Sequence, residues 1–513
     1  MLRNVLTVGG WTATSRVLGF IRDILIAAAL GAGPAADAFF VALKLPNFFR
    51  RLFGEGAFSA AFVPLFAGSL AADGREQARR VAEGALSVLL TVLAVLTLAA
   101  IVFMPEAMTL LAPGFRRDPE RFALAVELTR ITFPYLLLIC LVALFSGVLN
   151  GLDRFAVAAA APLLFNVALI GGLALAPLLA LSVAHGLAWG VAAAGILQFV
   201  VLAWAVAAAG MTLRLPWPRL TPEVRLLLRR MGPGAIGAGV TQINLMVDVI
   251  IASFLPQGSI AFLYYADRVN QLPLGVIGTA VGTALLPALS RQVRAGEGTA
   301  ALATQNRAIE LALLLTVPAA AGLAVAAWPI VHVLFGRGAF GAGDVTATAA
   351  ALAVYALGLP AYVLVKVLAP GFFARGDTAS PVKVAIVCVV LNILLCLALI
   401  GPLAHVGVAL ATVISGWVNA LALGVWLWRQ GRLVPDARLG AFLPRLGLAS
   451  AAMGAVIWAA QTLAFDALFR AQGYRWGALA LLIALGAGVF GAAALAMRVA
   501  DVAELRRYLR RRA

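Results

Sequence analysis

The sequence predicts an all-α polytopic membrane protein of about fourteen transmembrane helices, arranged as two parallel six-helix lobes around a central cavity plus two C-terminal helices. Three observations predict it. The 513 residues are 63% hydrophobic and only 12% charged, with a mean hydropathy of +1.00, too little charge for a soluble domain of this length. Apolar stretches of about 20 residues recur from end to end, each able to cross the hydrocarbon core as a helix. They are continuous rather than alternating, which argues against a transmembrane barrel. The chain also repeats itself weakly at an offset of about 225 residues, the kind of internal symmetry expected of transporters.

The first apolar segment carries charge, in SRVLGFIRD. Residues seven apart share a helix face, so Ser15 falls with Arg22 and Arg16 with Asp23, each pair about 10 Å apart along the axis. Gly19 lies between them and leaves room for a ligand. The charges interrupt the apolar region and no clear cleavage site follows, so a cleavable signal is not expected. In the second segment Asp37, Lys44 and Arg51 form one polar stripe. Pro46 interrupts that helix and can kink it; Arg50 and Arg51 end it, and Glu55 lies one turn beyond Arg51. After residue 215 comes the basic linker RLPWPRLTPEVRLLLRRMG, where Thr221 is placed to cap a helix with Pro222 at its first position. The seventh span, QINLMVDVIIASF, holds Asp248, a lone acid suited to Na⁺, to a proton or to pairing with Arg268 of YYADR. Lys366 in the tenth span either lines the cavity or snorkels. Asp377, in FFARGDTASPVK, sits at a loop–helix junction, where a helix N-cap is the favoured reading. Two further spans, at residues 440–465 and 476–500, precede the tail RRYLRRR.

The repeat divides the chain. Pro46 matches Pro273, Pro64 matches Pro287, and Arg80-Val-Ala-Glu83 matches Arg307-Ala-Ile-Glu310. Pro105 matches Pro329, Phe115 matches Phe340, Pro134 matches Pro360 and Asn166 matches Asn392. Six spans per half is an even number, so both halves insert with one orientation and are parallel repeats. The expected domains are an N-lobe over 1–215, a C-lobe over 216–432 and a C-terminal pair with its tail over 433–513. Arg16, Arg22, Asp23 and Asp37 have apolar or small counterparts in the second half, and Lys44 aligns with Gln271. The expected cavity is therefore more cationic on the N-lobe side.

A net charge of +17 could suggest nucleic acid, but its placement argues for topology instead. Most Arg and Lys fall in alternate loops, among them Arg75, Arg79, Arg80, Arg214, Arg219, Arg229, Arg307, Arg432 and the tail. The opposite loops hold only Arg116, Arg117, Arg121, Arg337, Arg470 and Arg475. The rich side is the cytoplasmic one, which places both termini inside, and the tail reads as an anionic-lipid anchor. Cys140, Cys388 and Cys396 all lie in apolar segments and read as buried small hydrophobes. His185, His332 and His405 show no metal-ligand spacing.

Charge inside the membrane is the functional signal. Arginine stays ionised, and at the bilayer midplane it costs at least about 2.5–3.5 kcal/mol. Such residues persist where they line water or bind something, and a guanidinium fork suits phosphate oxygens. The buried acids are too few to neutralise Arg16, Arg22 and Arg268, so these residues point to an anionic, phosphorylated ligand. For Arg51 and Glu55 a simple ion pair at a helix end is an equal reading.

SRVLGFIRD, DAFFVALKLPNFFRRLFGEGAFSAAFVP, YYADRVNQLPLGVIGTAVGTALLP and KVLAPGFFARGDTASPVK resemble the lipid II flippase family, MurJ or MviN, of the multidrug/oligosaccharidyl-lipid/polysaccharide exporter superfamily. The resemblance covers nearly the whole chain. It implies fourteen helices, a place in the cytoplasmic membrane, and export of the undecaprenyl-pyrophosphate-linked peptidoglycan precursor from inner to outer leaflet for cell-wall synthesis. The family's cavity arginines match Arg16, Arg22, Arg50 and Arg268, and its important acid in the second helix matches Asp37. A groove by the last two helices is expected to take the lipid tail. Some members bind Na⁺, and Asp248 and Asp377 resemble ligands of that site; Na⁺ or proton coupling is thus the expectation, with no other cofactor. Some relatives carry Glu where this chain has Gln271, which removes that acidic partner from Arg268.

Three rivals remain at this level. A cation-coupled exporter of drugs or other polysaccharide lipids would share the fold, although cationic drugs favour an acidic cavity. A membrane-embedded glycosyltransferase would need a carboxylate or metal cluster in an outer loop, and the outer acids Asp118, Glu120, Asp344 and Asp466 are dispersed. A scaffold within the cell-wall machinery would leave the arginines dispensable.

Overall fold

The computed structural model describes residues 2–51, 58–465 and 474–499, and Glu55, Asp466, Arg470 and the basic tail lie outside them. Among the described residues every regular element is helical. The chain forms two compact units, one of residues 1–261 with 338–340, the other of residues 262–337 with 341–513.

The first unit contains α1 (Leu2–Leu30), α2 (Pro34–Phe49), α3 (Ser59–Val102), α4 (Met104–Leu111), α5 (Pro119–Thr132), α6 (Tyr135–Gly151), α7 (Phe155–Leu175), α8 (Val183–Ala208) and α9 (Pro222–Ala252). Helix starts follow local chemistry. Asp118 accepts from the Arg121 amide to cap α5, Ser182 accepts from His185 to cap α8, and Thr221 accepts from Val224 to cap α9, as its sequence position led one to expect. The long α3 kinks at Gly74, whose φ of 80° and ψ of −175° suit glycine alone. Close packing uses small residues, since lipid provides no hydrophobic drive between helices. Gly147 and Gly151 of α6 receive Phe62 and Phe66 of α3, and an added Cβ would lie 2.8 and 2.5 Å from those rings. Phe58, Phe62 and Phe66 stack in turn at 5.1 and 5.7 Å. Where α7 meets α8, a Cβ on Gly172 would sit 2.4 Å from the Gly186 carbonyl oxygen.

The second unit contains the greater part of α10 (Ser259–Arg294), then α11 (Gly298–Val325), α12 (Ala327–Phe335), α13 (Ala342–Phe373), α14 (Ala379–Arg429), α15 (Ala437–Ala460) and α16 (Arg475–Ala496). At about 1.5 Å per residue, the 51 residues of α14 would far exceed a bilayer. The element is in fact two helices that reverse at Ala404 (φ 49°, ψ −130°). Its core joins Val363, Val367 and Phe372 of α13 to Leu423 and Leu427 of α14.

Nine helical segments among the described residues are long and apolar enough to cross a membrane. They show lipid-facing stripes. Val92, Val95, Leu98 and Val102 on α3, and Val387, Val390, Leu394 and Leu397 on α14, recur at helical spacing and are each more than half exposed. The chain is a multi-pass membrane protein. Helices α1, α2, α9 and α10, which carry Arg16, Arg22, Asp23, Asp37, Asp248 and Arg268, fall outside the nine.

Backbone reversals recur in register. Positive φ occurs at Gly31 and Gly258, Gly74 and Gly296, Asp153 and Gly376, Ala180 and Ala404, and Gly210 and Gly431, each pair about 221–227 residues apart. By packing, α9 lies with the first unit, one helix beyond the junction at residue 215 that the sequence repeat suggests.

Candidate functional site

Arg22 is the most enclosed intramembrane cation of the first helix. It is 4% exposed, and Asp23 beside it is 2% exposed. Its Nε and Nη2 donate to Asp23 Oδ1 at 3.0 and 2.6 Å, and its Nη1 donates to Asn166 Oδ1 at 2.8 Å. The guanidinium lies over Phe165, 5.5 Å from the ring centroid. Asn166 turns its amide nitrogen to the Ser15 carbonyl at 3.0 Å and the Ser15 hydroxyl at 3.3 Å. One asparagine on α7 thus bridges two positions two turns apart on one face of α1. Gly19 permits this approach, because an added Cβ would meet Asn166 Oδ1 at 3.4 Å. Ser15 and Arg22 therefore share a face, as the seven-residue spacing implies. Arg16 is exposed, and Asp23 is held by Arg22 rather than turned with Arg16 toward a common ligand.

The polar stripe of α2 separates by depth. Asp37 is fully buried, Lys44 half-buried and Arg51 exposed. The Asp37 carboxylate receives Arg121 Nη2 at 2.5 Å and the backbone amides of Gly258 and Ala261 at 2.7 and 2.8 Å. Those amides open α10, so Asp37 caps that helix from another element and opposes the positive end of its dipole. Arg121, 5% exposed, is sandwiched against Phe115 with its guanidinium carbon 3.8 Å from the ring centroid. Arg50, half-buried, donates through Nε to Asn47 Oδ1 at 3.0 Å. Glu55 lies outside the described residues.

In the second unit Arg268 is half-buried, with its guanidinium 5.5 Å from the Tyr264 ring centroid. Gln271, where the resembled family can have an acid, donates its amide to Asp267.

A family model described as the lipid II flippase MurJ matches residues 26–470. A probable lipid II flippase MurJ of Rhizobium tropici is 44% identical over all of this chain and 97% of its own length. One of Rhizobium meliloti (strain 1021) is 45% identical over 100% and 96%. The chain belongs to the MurJ family. The solved structure of a lipid II flippase MurJ in an inward closed conformation superposes with a TM-score of 0.80 at 26% identity, covering 96% of this chain and 98% of that one. An inward-facing multidrug resistance MATE transporter of the MOP superfamily superposes at 0.68 with 16% identity, over 81% and 94%, and shares the fold.

Two residues at these buried charges carry little signal in the sequence. In sequence Asn166 stands out only as a repeat match to Asn392 and as a polar residue inside an apolar helix. Arg121 reads in sequence as one of the sparse outer cations, and nothing near it in the chain points to Asp37. The acids with a Na⁺ expectation differ. Asp248 is half-buried in α9. Both oxygens of Asp377 are engaged by Ser380, Oδ1 by the amide at 2.9 Å and Oδ2 by the hydroxyl at 2.7 Å. These bonds hold its carboxyl below the usual range and make it the helix-start cap favoured from sequence. Among the described residues no three His, Cys, Asp or Glu side chains group as metal ligands would.

Proposed function

We propose that this chain moves lipid II from the inner to the outer leaflet of the cytoplasmic membrane, by alternating access and without covalent chemistry. Counting α14 as two crossings and adding the four charged helices to the nine apolar ones gives fourteen, with both termini cytoplasmic. The paired reversals support two duplicated halves of six crossings each, followed by α15 and α16. The observation that carries the reading is Arg22: an enclosed, permanent cation within a membrane helix, in a chain of the MurJ family. Its fork has five N–H donors, three of which hold Asp23 and Asn166. Two remain for an anion. A pyrophosphate would also compete with Asp23 for the fork, so that Asp23 keeps the site neutral between cycles. The isoprenoid tail gains about 0.8 kcal/mol per CH₂ by staying in lipid, so only the headgroup need pass the polar site. Arg16, Arg50, Lys44 and Arg268 are the further candidates for headgroup contact.

The test is lipid II translocation in proteoliposomes. The wild-type chain is expected to expose the headgroup on the trans face, and Arg22→Ala to slow this by tenfold or more while remaining inserted. Undiminished transport by Arg22→Ala would place the headgroup elsewhere. We assign ion coupling to Asp248, an ionisable group within a membrane helix, and Asp377 serves as a helix-start cap. An imposed Na⁺ or proton gradient should accelerate the wild type and not Asp248→Asn; equal acceleration of both would remove Asp248 from the coupling step.

A further inference from the structure

Cations are scarce in the loops opposite the basic ones, yet two of the few described there converge. Arg337 follows α12, and Arg475 opens α16, which packs against α12. Arg337 Nη2 donates to the Val333 and Leu334 carbonyls at 2.6 and 3.1 Å, and Arg475 Nη1 donates to the Gly336 carbonyl at 3.0 Å. Both side chains are thus drawn to the C-terminal end of one short helix. Its carbonyls carry only a partial negative charge, roughly half an electron, against two full positive ones. No described carboxylate pairs with either arginine. The buried Nε of Arg337 and the buried Nε of Arg475 each lack an acceptor, and a buried donor left unmet is destabilising. Burial, with the Arg475 charge as the lesser cause, presses the Arg337 guanidinium below its ordinary range.

The start of α16 adds to the positive field. Its N-cap, Tyr474, supplies no side-chain bond to the first-turn amides, and an arginine there is the wrong sign for the helix dipole. The setting is interfacial. Tyr474 and Trp476 are 70% and 46% exposed, the aromatic pair expected at headgroup level. Trp476 also lies under Arg337, 5.2 Å from ring centroid to guanidinium carbon.

We propose that Arg337 and Arg475 form a binding site for the phosphate group of an anionic lipid at the membrane surface beside α16. A phosphodiester offers two non-bridging oxygens that share one negative charge at guanidinium spacing, and it offsets part of the pair's positive charge. Trp476 and Tyr474 would seat the glycerol region. The site is separate from Arg22 and needs no transported headgroup.

The experiment places the full chain in nanodiscs of phosphatidylcholine alone or with added phosphatidylglycerol. It measures immobilised spin-labelled phosphatidylglycerol and the melting temperature of wild type, Arg337→Gln, Arg475→Gln and the double variant. Either single change is expected to weaken phosphatidylglycerol retention by roughly tenfold. The melting shift should change sign with lipid. Neutralising one arginine relieves repulsion in phosphatidylcholine and raises the melting temperature, but loses the bound anion with phosphatidylglycerol and lowers it. A purely structural role for the arginines would lower it in both lipids, and that result overturns the proposal. So does equal retention by wild type and double variant. Inorganic phosphate added to the aqueous phase separates the sources: displacement of the labelled lipid by millimolar phosphate assigns the site to free phosphate, and no displacement assigns it to the lipid headgroup.

Discussion

Arg22 and Asp23 form a buried ion pair, 2.6 Å between Nη2 and Oδ1. Removing one partner of a buried pair strands the remaining charge and costs about 3–5 kcal/mol. Arg22→Ala is therefore expected to lower the melting temperature clearly, and Arg22→Ala/Asp23→Ala to recover most of it, while transport is lost in both. Thermal melting beside a flipping assay separates the two effects. Should the double variant regain transport together with stability, the arginine would be cement and not a ligand. Arg22→Lys keeps a charge but loses the fork that reaches Asp23 and Asn166 together. Its transport rate should fall between wild type and Arg22→Ala; a rate equal to alanine's would show that geometry, not charge, is what the headgroup reads.

Helix reversals carry local strain that can be measured. Gly74, Gly210, Gly258 and Gly431 take positive φ freely, whereas Ala404 takes φ 49° and ψ −130° with a Cβ in the way. Such a residue costs about 1–3 kcal/mol, partly offset in glycine by its greater unfolded-state entropy of roughly 0.5–1 kcal/mol. Ala404→Gly should therefore stabilise the chain, by about 1 kcal/mol after that offset, seen as a higher melting temperature in detergent. A lower one would mean that the methyl group packs to more effect than its strain costs. At this scale Asp37 also acquires a physical role, because a carboxylate from α2 satisfies first-turn amides of α10 and a buried arginine from α5 together.

Across the whole chain, charge asymmetry between alternate loops sets an expected orientation. It can be read directly, because Cys140, Cys388 and Cys396 are all buried and leave a low labelling background. A cysteine at Gln430 should react with an impermeant maleimide only from the cytoplasmic side, and one at Ser182 only from outside. Labelling of both from the same face would contradict the alternation on which the span count rests.

Composition and periodicity determined the membrane class, the helical architecture and the presence of cations where lipid should be, because the cost of burying charge in hydrocarbon is written residue by residue. Local chemistry likewise placed the Thr221 cap and favoured the N-cap reading of Asp377, since a cap and its amides lie within one turn. The order of prolines already carried the repeat, which the paired reversals then echoed in backbone angles. Tertiary structure alone decided what the charges do. Helical spacing placed Ser15 with Arg22 but could not supply Asn166, 144 residues further along from that arginine. The stripe of Asp37, Lys44 and Arg51 is one face of a helix in sequence and three depths in space. Arg121 reaches Asp37 across 84 residues, and Arg337 reaches the turn that Arg475 also caps. Periodicity specifies which residues share a face; only the packed neighbours specify which of those faces meet a counter-charge, a carbonyl or lipid.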